Sequence, residues 1–108
     1  MARRPDVYLG AINFVGEWLS EGCGDYRAVN RSLLVEGAGF PGPAIWLYGA
    51  NDSFYGLPYS RSNFDAYTVA GDLGEFREYT RAPGLNGHSL INDPELWDDA
   101  LDRFIEGL

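Results

Sequence analysis

The sequence predicts an α/β fold: a short parallel sheet of about three strands, flanked by helices in a three-layer arrangement. Three observations predict it. Ala44 to Tyr48 (Ala-Ile-Trp-Leu-Tyr) is an unbroken apolar run, the pattern of a strand covered on both faces. Val7 to Val15 is a second, nearly continuous apolar run. Segments of helical spacing separate and follow these runs, and such alternation makes a parallel sheet.

The totals limit the function. The 108 residues are read as one domain, and 45% hydrophobic with 15% aromatic content argues against disorder. The net charge is −8, and the eight basic residues are all arginine. No basic face is left to neutralise phosphates, so neither a nucleic acid nor an anionic membrane is an expected partner. One cysteine excludes an internal disulfide and a multi-cysteine metal site. Gly37, Gly39 and Gly42 form no Walker or dinucleotide fingerprint, and no cofactor is expected. Arg3-Arg4 before Val7 to Leu19 has the outline of a leader. Asp6, Asn13 and Glu17 interrupt it, and the run is too short and polar to span a bilayer. A soluble, cytoplasmic protein is the expectation.

The elements follow in order. Val7 to Val15, closed by Gly16, is the first strand, and Glu17 to Gly24 a glycine-rich loop. Asp25 is placed to cap a helix whose inner face is Tyr26, Val29 and Leu33, with Arg27, Asn30 and Arg31 outside. Gly37 is the expected left-handed terminator. Phe40-Pro-Gly-Pro43 is a stiff turn into the central strand, which breaks at Gly49 and delivers Asn51 and Asp52 beyond its end. Ser60 or Ser62 then caps a second helix with Phe64, Tyr67 and Ala70 inward, ending at Gly71. Glu75 to Arg81 is a third strand whose charges suit a sheet edge. Pro83 to Asn92 is a loop. Asp93-Pro94 opens a last helix with an N-cap, a proline in the first turn and a stripe of Trp97, Leu101, Phe104 and Leu108, widened by Ala100 and Ile105. Right-handed crossovers in the order 1-2-3 put the first two helices on one face of the sheet and the last on the other.

Ligands of open parallel sheets bind at the carboxyl ends of the strands. Asp52 follows the central strand, and His88 follows the third in Ala82-Pro-Gly-Leu-Asn-Gly-His88. Neighbouring strands about 4.8 Å apart bring the two loops to one edge. A carboxylate beside an imidazole fixes its tautomer and stabilises the imidazolium, the orienting half of a nucleophile-base-acid triad. The plainer alternative makes Asp52 a turn residue and His88 a solvated loop residue. Trp18, Trp46 and Trp97 are read as core.

Ala44 to Asp52 and Gly87-His88, followed by the amphipathic last helix, resemble the C-terminal half of an α/β-hydrolase, and within that fold the dienelactone hydrolase-like branch. The resemblance implies that Asp52, in a Gly-x-x-Asp turn, is the acid and His88 the base of an ester or lactone hydrolase. Arg4-Pro5-Asp6 resembles the family's stretch after the nucleophile helix. The nucleophile elbow Gly-x-Ser-x-Gly is missing: Ser20, Ser32, Ser53, Ser60, Ser62 and Ser89 all lie outside such a motif. Cys23, in Glu21-Gly-Cys-Gly-Asp25, stands where the family has no nucleophile and reads as a small loop or buried thiol. The expectation is a truncated hydrolase-like domain, inactive alone. The alternative is a non-catalytic binding or assembly module, which either supplies only a scaffold or completes an active site with a partner chain, and a third reading is a fragment without selected function. The uncharged first strand, Val7 to Val15, would have lost a neighbour, which points to a homodimer through its open edge.

Overall fold

A computed structural model of the chain describes residues 6–16, 24–70 and 73–108. The described elements run β1 (Ala11–Phe14), α1 (Tyr26–Gly37), β2 (Ala44–Gly49), α2 (Leu57–Val69), β3 (Gly74–Tyr79), a 3-10 segment (Gly87–Asn92) and α3 (Pro94–Glu106). The strands form an all-parallel sheet in the order β1-β2-β3. Ala11–Phe14 lies opposite Ala44–Leu47, and Ala44–Gly49 opposite Gly74–Tyr79. The α/β architecture expected from the alternation is present.

β2 is buried along its whole length because both faces are covered. On one face Trp46 meets Phe64 and Tyr67 of α2 at ring separations of 5.5 and 5.2 Å, and Tyr48 stacks on Phe76 at 5.2 Å. On the other, alternation turns Ile45 and Leu47 toward α3. Phe14, in register with Leu47, meets Trp97 edge-on at 4.8 Å. α1 packs on α2 and adds Leu34 to the core. Among the described residues no helix is long and apolar enough to cross a membrane.

Several boundaries differ from expectation, each for a local reason. β1 is Ala11–Phe14, with Val7 to Gly10 outside it. Its first ladder bond runs from the Ala11 N–H to the Pro43 carbonyl at 3.0 Å, and the facing chain upstream is Pro41-Gly42-Pro43, where the prolines have no N–H to donate. Beyond the strand Val15 sits at φ 46°, a strained setting for a β-branched residue, held by its N–H on Leu47 and by Gly16 on the Asn13 side chain.

Asp25 does not cap α1 through its side chain: it is left-handed at φ 58°, and its carbonyl takes the first helical bond from Val29. The buried face of α1 is Asn30 and Leu34, one residue round from the expected stripe, and Val29 is exposed. Asn30 tolerates burial because its amide donates to the Tyr59 hydroxyl at 3.0 Å. Gly37 is the last helical residue, followed by a right-handed Ala38, so no left-handed terminator is used.

Neither Ser60 nor Ser62 caps α2. Gly56 precedes it and Pro58 occupies the first turn, where a missing N–H costs nothing. Ser60 is buried inside the helix, Ser62 bonds Arg31 of α1, and Ala70 is exposed. Glu17 to Cys23, including Trp18 and Ser20, together with Arg4-Pro5 and Gly71, lie outside the described residues. β3 carries the expected edge charges, with Glu75 and Arg77 paired. In α3, Trp97, Leu101 and Phe104 pack on the core around a buried Ala100, while Ile105 and, beyond the helix, Leu108 remain 49% and 44% exposed.

Trp97 combines its contact with Phe14 with an indole N–H bond to the Leu90 carbonyl at 3.0 Å. Being half-buried, Trp97→Ala should cost about 3 kcal/mol, the low end of such core truncations. Ile105→Ala should cost about 0.5 kcal/mol. Urea unfolding of the two variants checks the difference, and equal losses would place α3 wrongly on the sheet.

Candidate active site

β2 stops at Gly49 because another backbone lies against it. A Cβ on Gly49 would stand 2.6 Å from the Gly87 Cα, and one on Gly87 would stand 2.6 Å from the Gly49 carbonyl carbon. Neither position accepts a side chain. Hydrogen bonds hold the approach: Ala50 N–H to the Tyr79 carbonyl at 2.8 Å, Gly87 N–H to the Asn51 carbonyl at 3.1 Å, and the Asn51 amide to the Leu85 carbonyl at 3.3 Å. Asn51 turns the chain at φ 61°, a left-handed setting that asparagine tolerates.

The turn sends Asp52 toward the chain entering from β3. Asp52 Oδ1 accepts from the N–H groups of Phe54 and Tyr55 at 2.7 and 2.9 Å, and Oδ2 lies 3.2 Å from His88 Nδ1. The Asp52 side chain has no exposed surface, whereas His88 keeps 35% of its own. The imidazole also rests on Phe54 and Tyr55, at ring separations of 4.5 and 5.9 Å. The structure thus brings the two sequence-predicted residues together at the carboxyl edge of the sheet. With Oδ2 accepting, the neutral ring carries its proton on Nδ1 and leaves Nε2 as the basic nitrogen.

Comparison with protein-family models, curated proteins and solved structures gives no match for this chain.

Other candidates do not join the pair. Ser53 Oγ accepts from the Asn86 amide at 2.6 Å, and among the described residues no serine hydroxyl bonds the His88 ring. Cys23 lies outside the described residues. Among those described, no group of three or more histidine, cysteine, aspartate or glutamate side chains is placed to hold a metal. An open hollow of about 450 Å³ lies at the opposite end of the sheet, between Pro43, Thr68, Leu73 and Phe104, and shares no residue with the pair.

Three residues that sequence reasoning did not assign to the site complete it. Asn86 Oδ1 accepts from both Ser53 N–H at 3.1 Å and His88 N–H at 2.9 Å. Arg81 donates to the Asn86 carbonyl at 2.9 Å and forks onto Asp93 at 2.6 and 3.3 Å. Asp93 therefore spends its carboxylate on Arg81 and makes no side-chain cap to α3, contrary to expectation. An asparagine two residues before a histidine is a turn signal in the sequence, but its second loop is visible only in the fold.

The hydrogen bond from Arg81 holds the Asp93 carboxyl below the ordinary aspartate range, against the opposing effect of burial. A depressed folded pKa stabilises above the unfolded value of about 3.9 and loses that contribution as pH falls through the folded one. Asp93→Asn should therefore be less stable than the parent near neutrality, with the gap closing as pH drops below about 4. Urea midpoints at a series of pH values test this, and a gap independent of pH would remove the ion pair from the account.

Proposed function

We propose that this chain supplies the acid and the base of an α/β-hydrolase-like enzyme acting on an ester, lactone or similar bond. The nucleophile would come from residues outside this stretch or from a partner chain. The reading is carried by the contact between Asp52 Oδ2 and His88 Nδ1 at 3.2 Å. In the completed site Asp52 holds the ring so that Nε2 faces the nucleophile's hydroxyl. The hydroxyl oxygen attacks the carbonyl carbon as Nε2 takes its proton, and the imidazolium returns that proton to the departing alkoxide. Asp52 Oδ1 is taken by two backbone N–H groups, so Oδ2 is the oxygen left to stabilise the imidazolium.

The test joins this chain to the nucleophile-bearing half of a dienelactone hydrolase-like enzyme. The chain alone should hydrolyse p-nitrophenyl acetate no faster than free imidazole and show no acyl burst. The joined protein should turn over, and Asp52→Asn within it should lower turnover by about 10³–10⁴-fold. A burst from the chain alone, mapped to one of its serines or to Cys23, would overturn the assignment. So would a joined enzyme indifferent to Asp52→Asn.

A second reading rests on β1. It is an edge of the described sheet, Ile12 is 49% exposed, and Val7, Tyr8 and Leu9 beside it are exposed as well. The segment 7–15 carries no charge in a chain of net charge −8, so it is where two copies meet with least repulsion. We propose that a second copy pairs with this edge about a two-fold axis, as a homodimer. Light scattering at tens of micromolar should give twice the chain mass, and Ile12→Lys should give the monomer. A parent protein that stays monomeric while its β1 amides exchange slowly would refute the pairing.

A further inference from the structure

We infer that Asn86 is the positioning residue that holds His88 against Asp52, and that Arg81 anchors Asn86. The inference rests on the acid-base reading of the pair. As a simple cap of the 3-10 segment, Asn86 would need only the bond from His88 N–H. Its side chain does more. The same Oδ1 accepts from Ser53 N–H, the residue after the acid, and Nδ2 donates to Ser53 Oγ. One planar amide therefore spans both loops, and the N–H groups of His88 and of the residue after Asp52 share a single acceptor atom.

That staple needs its own support. The Arg81 side chain is only 9% exposed and leaves the chain just beyond β3. Its Nη1 donates to the Asn86 carbonyl, while Nε and Nη2 fork onto Asp93 at the start of α3. A rigid guanidinium making three bonds fixes the main chain at Asn86 between two regular elements. Lysine has the charge but not the fork, and would hold the ion pair without holding Asn86 in the same place.

The experiment reads the His88 tautomer by two-bond ¹H–¹⁵N correlation on the intact chain at about pH 9, where free imidazole is neutral. The parent should carry the proton on Nδ1. Asn86→Ala should move it to Nε2, as in an unconstrained histidine side chain, with the far-UV circular dichroism unchanged. Asn86→Asp keeps both acceptor bonds and should keep the parent tautomer. If Asn86→Ala fails to fold, Arg81→Lys replaces it and should show a mixture of the two tautomers. A folded Asn86→Ala, or in its place a folded Arg81→Lys, with parent ring signals would overturn the inference. So would an Asn86→Asp that behaves like the alanine variant. A parent protein without a proton on Nδ1 would instead overturn the acid-base reading, before any variant is made.

Discussion

The contact of Gly49 with Gly87 is the constraint on which the site depends. The backbones at the end of β2 and the start of the 3-10 segment pass closer than any side chain would permit. Only that approach lets the Asn51 carbonyl receive the Gly87 N–H, and it leaves Asp52 and His88 as the next residues outward on each side. A Cβ at either position would have to push the loops apart, because the atoms it meets are main chain and have nowhere to retreat. The glycines therefore set the contact of Asp52 with His88 through distance alone. The aromatic sandwich around β2 then holds the strand that carries one half of the contact, with Trp46 and Tyr48 on one face and Ile45 and Leu47 on the other.

What was legible in the sequence was what depends on pattern. The Ala44 to Tyr48 run has only one explanation in a small α/β chain, and the structure buries every residue of it. The pairing of Asp52 with His88 was legible because parallel topology sends the ends of adjacent strands to one edge. What was not legible was where side-chain polarity would be spent. Asp25 and Asp93 both resemble caps, yet one takes a left-handed backbone and the other belongs to Arg81. Local rules score an aspartate before a helix as a cap because they cannot see a guanidinium twelve residues away.

The same limit governs the helix faces. Asn30 counts as polar in any periodicity, so the apolar pattern of α1 selects Tyr26, Val29 and Leu33. The fold instead turns Asn30 inward, where Tyr59 satisfies it, and the stripe rotates by one residue. Ser60 is buried as fully, which no amphipathic template would select. The interface of α1 with α2 is therefore partly polar, and Arg31 with Ser62 extends it to the surface. Tertiary partners decided these positions, whereas β2, covered by apolar residues on both sides, was decided by composition.

The strongest objection to a functional reading of Asp52 is that a Gly-Ala-Asn-Asp turn needs an aspartate anyway. The geometry separates the two roles by atom. Oδ1 does the work of the turn, accepting from Phe54 and Tyr55 N–H, and an asparagine in the right orientation would do the same. Oδ2 is not needed for that turn, and it is the atom that faces His88 Nδ1. A solvated turn aspartate would keep its second oxygen in water, where it is better hydrated than beside a half-buried ring. Here the carboxylate has no exposed side-chain surface, so Oδ2 has given up water for the imidazole. Burying that oxygen contributes nothing to the turn, and in the acid-base role proposed for the pair it is the atom that would set the tautomer of His88. The plain reading accounts for one oxygen of Asp52, and the acid-base reading accounts for both.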